Sequence, residues 1–297
     1  MANDLLLEVQ AVGHVYADGS HGLADCSLAI RRGSRNALLG ANGSGKTTLL
    51  LHLNGLLQPS SGCIRIDGQP LDYSRGGLVA LRRRVGLVFQ NPDRQLFSAN
   101  VFEDVSFGPL NLGLDEANVR ARVAQALAAV GMTGQAERPV HHLSFGQKKR
   151  VCIAGVLAMQ PELLLLDEPM AGLDPGMQDD LLHVLDDLAA RGISIVLATH
   201  DVDFAYRWAD DIHLLAAGRC TASFAAAELP QQAAALRAAG QPLPAVVALH
   251  QALVARGVLP ARPVPCGLPQ LLALLAAPAA EEDPMNDTAR VRQRSAA

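Results

Sequence analysis

No Cys-x-x-Cys pair occurs anywhere in the chain. The five cysteines, Cys26, Cys63, Cys152, Cys220 and Cys266, are scattered, which fits incidental thiols in a reducing cytosol rather than a disulfide framework. Neither they nor the neighbours His141 and His142 have a recognisable metal-ligand spacing. An excess of positive charge is also missing. A net charge of −4 and a pI near 6.1 argue against a general nucleic-acid binder. No stretch approaches the roughly 18 consecutive apolar residues that span a bilayer. The best candidate, Leu268 to Ala280, is interrupted by Pro269 and Pro278. Met1-Ala-Asn-Asp opens the chain without the basic segment and apolar core of a secretory signal. These absences predict a soluble chain; any work at a membrane would need a partner to do the spanning.

Core-forming material is plentiful. The 297 residues are 49% hydrophobic and 18% charged, enough for one large domain or two modest ones. Leu5 to Val12 and Leu23 to Ile30 are strand-like runs separated by turn residues. Arg35 to Leu39, Gly62 to Ile66, Val85 to Phe89, Leu163 to Leu166 and Ile193 to Ala198 are short apolar or β-branched strands. Ile212 to Leu215 and Cys220 to Phe224 form a hairpin pattern around Ala217-Gly218. Helical periodicity marks Lys46 to Leu53, Ala117 to Val130, Ser144 to Met159, Met177 to Ala190 and Val202 to Trp208. Mixed strands followed by alternating strand–helix units predict an α/β core with some antiparallel sheet. After about residue 225 the composition shifts to Ala, Leu, Pro and Gln. Ala245 to Ala255 and Leu268 to Ala276 are candidate short helices there, and 281–297 is expected to be a disordered tail. There is no internal repeat.

Gly40-Ala-Asn-Gly-Ser-Gly-Lys-Thr47 fits G-x-x-x-x-G-K-[ST] without mismatch. The glycines Gly40, Gly43 and Gly45 let the backbone fold so that its N–H groups, with Asn42 and Ser44 between them, point inward at phosphates. The helix that follows adds its positive end through Lys46, Thr47 and Thr48. Lys46 would supply a charge to the β- and γ-phosphates, and Thr47 a hydroxyl to Mg²⁺. Asp167 ends an apolar strand, where a second Mg²⁺-associated carboxylate belongs. Alternation along that strand would turn Glu168 the other way, to polarise an attacking water. Gln90 and His200 also end apolar runs; Gln90 is a candidate for Mg²⁺ and the water, His200 for the γ-phosphate and the water. Tyr16 is the one aromatic residue before the phosphate loop.

With Leu143-Ser-Phe-Gly-Gln147 and Ala171-Gly-Leu-Asp174, residues 5–224 resemble the ABC ATPases. The resemblance implies a phosphate-loop NTPase fold with a mixed β-sheet core, a helical subdomain at about 91–160, and a small helical extension at 225–280. It implies ATP and Mg²⁺ as cofactors and Tyr16 as a stacking platform for adenine. It also implies head-to-tail pairing with a second ATPase subunit, expected to be an identical copy. Ser144, Gly146 and Gln147 of one subunit would then meet the nucleotide held by the other, with Asp174 in the same interface. Gln90-Asn-Pro-Asp-Arg-Gln-Leu-Phe97, followed by Glu103 to Gly113, resembles the energy-coupling-factor ATPases, and Leu143-Ser-Phe-Gly-Gln-Lys-Lys-Arg-Val151, with Phe145, is similar to their cobalt and nickel branch. That branch implies a peripheral subunit at the cytoplasmic face, working with a transmembrane coupling protein and metal-binding membrane components. Leu96, Phe97, Val101 and Phe102 would give a receiving groove its apolar contacts, and Arg94, Glu103 and Asp104 its polar ones. A vitamin importer is the alternative. Met170 and Cys152 depart from the family pattern without touching a catalytic position. A DNA-repair or chromosome ATPase would need a coiled coil between Lys46 and Ser144, and no sustained heptads occur there.

Overall fold

The computed structural model describes residues 4–276. The chain divides into two compact units, Met1–Pro244 and Ala245–Ala297. The division falls at 244/245 rather than the expected 224/225, because 225–244 join the first unit.

Two sheets build that unit. In one, β1 (Leu5–Val15) pairs antiparallel with β2 (His21–Arg31) and β4 (Ser61–Ile66), and β4 pairs with the two-residue β5 (Gln69–Pro70). The other runs β10-β9-β3-β8-β7-β6. Here β3 (Arg35–Leu39), β6 (Val85–Val88), β7 (Leu163–Asp167), β8 (Ser194–Thr199) and β9 (Asp211–Ala216) are parallel. Only β10 (Arg219–Ala225) is antiparallel, joined to β9 through Ala217 and Gly218, both at positive φ. A parallel strand covered on both faces must be apolar throughout. Leu163, Leu164, Leu165 and Leu166 meet that demand, each with no exposed surface.

Helix α1 (Lys46–Leu53) lies against both sheets, packing on β2, β7 and β8. It is buried on nearly every side, with only Thr47 exposed and Leu51 half-buried. Leu49, Leu50 and Leu53 join the core with Leu6, Leu23, Ile30, Leu165 and Val196. Full burial of each such side chain contributes roughly 1.5–3 kcal/mol. The helix is therefore fixed as a rigid post, with its N-terminus at the carboxyl end of the parallel strands.

Helices α3 (Val101–Asn111), α4 (Glu116–Ala129) and α5 (Phe145–Leu157) pack on one another. The face expected of Val119, Val123, Ala126, Leu127 and Val130 is buried. Helix α2 (Arg75–Arg84) and α3 were not announced by periodicity. In α2 the helix-breaking pair Gly76-Gly77 is offset by a cap: Ser74 accepts the Gly77 N–H at 3.1 Å. Helix α3 carries Gly108 and Pro109 near its end and is started by Asn100, which accepts from Glu103 N–H at 2.9 Å. Helices α6 (Pro175–Ala190), α7 (Val202–Trp208) and α8 (Ala233–Ala238) complete the unit.

The second unit contains α9 (Ala245–Ala255) and α10 (Leu268–Ala276), the two short helices expected there. The tail expected at 281–297 lies outside the described residues. No helix among the described residues is long and apolar enough to cross a membrane.

One ion cluster clasps the two sheets together. Glu162, just before β7, accepts from Arg84 Nε at 2.6 Å and Arg32 Nη1 at 2.8 Å, and both arginines also pair with Asp67 at the β4–β5 turn. Hydrogen bonding to Arg84 holds the Glu162 carboxyl down at about 2, from an ordinary 4.5. A depressed carboxylate stabilises the fold above its unfolded pKa and stops doing so as pH falls through its folded one. At neutral pH, E162Q should therefore melt below wild type, by about 1 kcal/mol after solvent screening. The gap should close as the pH falls from about 4.5 through about 2. Thermal melts across that range check this; a constant gap would remove Glu162 from the acid response.

Candidate active site

β3 delivers the chain into Gly40, and the loop turns back on itself before α1. Gly45, at φ 104°, sits so close to the Gly22 carbonyl that a Cβ would lie 2.8 Å from its oxygen. Only glycine fits there without strain. Lys46, 6% exposed, folds over the loop: its Nζ donates to Gly40 O at 2.7 Å and Ala41 O at 3.2 Å. It also stands 3.5 Å from Glu168 Oε1. Thr47 Oγ1 donates to Asp167 Oδ2 at 2.8 Å.

Desolvation raises the Asp167 pKa, while the Thr47 hydroxyl and Lys46 pull it down. Strand alternation was expected to separate Asp167 from Glu168. The structure corrects the reason: β7 ends at Asp167, and Glu168 takes a left-handed backbone, φ 45°. That conformation costs a non-glycine residue on the order of 1–2 kcal/mol. It carries the carboxylate between Lys46 and His200, whose Nδ1 lies 3.1 Å from both Glu168 oxygens.

Tyr16, Asn42 to Thr48, Gln90, Asp167, Glu168 and His200 line one cleft of about 370 Å³. The Tyr16 hydroxyl shares a 2.8 Å hydrogen bond with Thr48 Oγ1, and its ring meets His14 edge-on. The Ser44 hydroxyl is buried in the loop with no protein partner. An orphaned donor beside inward-facing N–H groups suits an anionic ligand. Thr47 and Asp167 offer the hard oxygens that Mg²⁺ prefers. Among the described residues no group of three or more His, Cys, Asp or Glu could hold a metal by itself. An ion here would be completed by phosphate oxygens and water, which is how Mg²⁺ is commonly held.

Ser144, Gly146 and Gln147 do not line this cleft. They line a separate depression of about 250 Å³ with Arg150, Met177 and Asp180. Ser144 caps α5 in a reciprocal box: its hydroxyl accepts from Gln147 N–H at 3.3 Å, and its own N–H donates to Gln147 Oε1 at 3.0 Å. Asp174 caps α6, accepting from Met177 N–H at 2.9 Å.

In the segment after Gln90, only some of the residues expected to make contacts face outward. Val101 and Asp104 are buried, and Asp104 accepts the Phe97 and Ser98 N–H groups instead of facing outward. Phe97, Phe107 and Leu110 are exposed, and the two phenylalanine rings meet edge-on at 4.9 Å. Lys148 reaches from α5 to Asp93 in this segment at 2.7 Å.

Sequence reasoning passed over two positions that the fold brings to the site. Gln241 is buried, with its amide able to donate to His200 O at 3.3 Å and accept from Ala41 N–H at 3.1 Å. No spacing signals it, because it lies far beyond the motifs. Lys149 is the second residue after the signature, and only the fold shows that its side chain is buried.

A phosphate-binding loop, a cleft with paired carboxylates and a capped signature helix define a phosphate-loop ATPase. Residues 23–171 match the family described as ABC transporter, and the chain belongs to that family as an ATP-binding, ATP-hydrolysing subunit. It is similar to the cobalt import ATP-binding protein CbiO of Rhodobacter capsulatus: 50% identical over 244 residues, covering 82% of this chain and 87% of that one. It is also similar to the energy-coupling factor transporter ATP-binding protein EcfA of Methanothermobacter thermautotrophicus: 46% identical over 239 residues, covering 80% and 77%. Among solved structures, cbiO1 from Clostridium perfringens, part of the ABC transporter complex cbiONQ, matches with a TM-score of 0.73. It is 43% identical, and the match covers 84% of this chain and all of that one. The subunit is thus an importer ATPase of the energy-coupling-factor type.

The loop geometry gives a direct test. G45A forces a Cβ against the Gly22 carbonyl at a positive φ, a strain of about 1–3 kcal/mol. ATP affinity, measured by titration calorimetry, should fall about 10- to 100-fold, since each 1.4 kcal/mol is tenfold. Unchanged affinity would show that the loop yields freely.

Proposed function

We propose that this subunit energises import of a transition-metal ion, cobalt or nickel, working as a pair of identical copies beneath membrane partners. The observation that carries the catalytic part is the Glu168 carboxylate, held between the Lys46 ammonium and the His200 imidazole at the mouth of the phosphate loop.

In this reading Tyr16 stacks on adenine, its ring oriented by the Thr48 hydroxyl. The loop N–H groups of Gly43 to Thr48 and the N-terminus of α1 bind the phosphates. Lys46 exchanges its carbonyl partners for β- and γ-phosphate oxygens. Thr47, Asp167 and Gln90 hold Mg²⁺, which when bound neutralises charge on those oxygens. Glu168 takes a proton from the attacking water. His200 orients that carboxylate and donates to the γ-phosphate.

The division of the site supports pairing. Ser144, Gly146 and Gln147 sit in a depression apart from the same chain's cleft. The N-terminus of α5, capped locally by Ser144 and Gln147, carries the positive end of the helix dipole, which suits an anion. A second copy, placed head to tail, brings that end to the γ-phosphate, with Asp174 in the seam. Phe97, Phe107 and Leu110, with Leu96 and Arg94 beside them, offer a transmembrane coupling protein an apolar landing site at the cytoplasmic face. The similarity to CbiO and the Phe145 form of the signature support a metal cargo. The similarity to EcfA supports a vitamin as the second reading.

E168Q should lower ATP turnover by at least about 100-fold, the usual scale of a lost general base, and leave ATP binding intact. Unchanged turnover would remove Glu168 from the chemistry. For the cargo, the subunit is reconstituted in vesicles with candidate membrane components. ATP-dependent uptake of radiolabelled Co²⁺, competed by Ni²⁺, is expected. Vitamin uptake without metal uptake would transfer the assignment to the second reading.

A further inference from the structure

Lys149 has a buried ammonium that neither the phosphate site nor the signature accounts for. Its side chain, 2% exposed, leaves α5 and reaches the turn after β7. There Nζ donates to Pro169 O at 2.5 Å, Ala171 O at 2.6 Å and Glu168 O at 3.4 Å. An ammonium has three N–H donors, and three main-chain carbonyls take them. The Phe145 ring lies beside the same charge, its centroid 5.2 Å from Nζ, a cation–π distance. That ring also covers Gly172, where an added Cβ would come within 3.0 Å of it. One turn of the signature helix thus grips the whole 168–172 segment.

The gripped segment contains the one strained residue of the proposed chemistry. Glu168 holds a left-handed backbone although it is not glycine. Such a conformation persists only where the surroundings over-determine it. Two main-chain bonds help: Glu168 N–H to Ala198 O at 3.0 Å, and Ala171 N–H to Glu168 O at 3.1 Å. Neither restrains the carbonyls of Pro169 and Ala171, which are left to Lys149.

We propose that Lys149 is a positioning residue that locks the Glu168–Ala171 turn, and through it aims the Glu168 carboxylate at the site of hydrolysis. The inference rests on the reading of Glu168 as the general base. It also gives Phe145 a role within its own subunit: shielding the ammonium and packing the turn at Gly172. The signature helix and the catalytic carboxylate then move as one body, so a displacement of α5 reaches Glu168 without passing through the nucleotide.

Met and Gln match in length and volume, but Gln keeps two donor hydrogens and Met none. In the full-length subunit, K149M should lower kcat about 10- to 100-fold and K149Q clearly less. The Kd for ATP should stay within about threefold for both. A packing role would make the two variants equal. In the E168Q background K149M should add nothing to the loss of kcat, since both act through one carboxylate. Amide hydrogen exchange across 168–172 should speed up in K149M; this readout stands even if E168Q retains turnover and the general-base reading fails. K149Q carries the test if K149M does not fold. Equal kcat in all three proteins, a parallel loss of ATP affinity, additivity with E168Q or unchanged exchange would each overturn the proposal.

Discussion

At the carboxyl end of β7 the backbone changes hand, from extended at Asp167 to left-handed at Glu168. Two adjacent carboxylates therefore meet different partners. Asp167 stays in the sheet and faces the Thr47 hydroxyl; Glu168 swings out to Lys46 and His200. Had the strand continued, regular alternation would have put the second carboxylate on the opposite face of the sheet. The proposed division of labour between an ion-holding acid and a water-polarising acid depends on this one change of conformation.

Other features support it from three directions. The four leucines of β7, buried on both faces, leave the strand no freedom to slide or twist. Helix α1, set in the core between the sheets, holds Lys46 and Thr47 at a fixed height above the strand ends. The signature helix α5 closes the far side through Lys149. Its neighbour Lys148 ties the same helix to Asp93, in the segment that carries the exposed Phe97. Successive lysines thus bind one helix to the catalytic turn and to the surface proposed to meet the membrane partner. In the proposed mechanism these short ionic and carbonyl contacts would link transport to hydrolysis within a single subunit.

Some residues that looked functional in the sequence are structural. Asp104 is a local cap for the Phe97 and Ser98 N–H groups, because a carboxylate buried at the head of α3 must be satisfied from nearby donors. Val101 is core. The apolar surface that is exposed comes instead from Phe97, Phe107 and Leu110. Phe107 and Leu110 belong to a helix whose late Gly108-Pro109 hid its periodicity.

The local chemistry was legible in the sequence. G-x-x-x-x-G-K-[ST] predicts a loop and a helix by backbone geometry alone, the leucine run of β7 predicts a doubly covered strand, and Ser144 at the head of a helical run suits a helix N-cap. Each is a short-range rule in which spacing dictates shape. What only the tertiary structure decided lies between segments distant in the chain. It set the left-handed turn at Glu168, the reach of Lys149 across twenty positions to Pro169, and the arrival of Gln241 between Ala41 and His200. It also put the signature in a depression apart from its own chain's cleft. Those contacts come from sheets and helices packing around a shared core, and packing leaves no periodic mark on the residues it brings together.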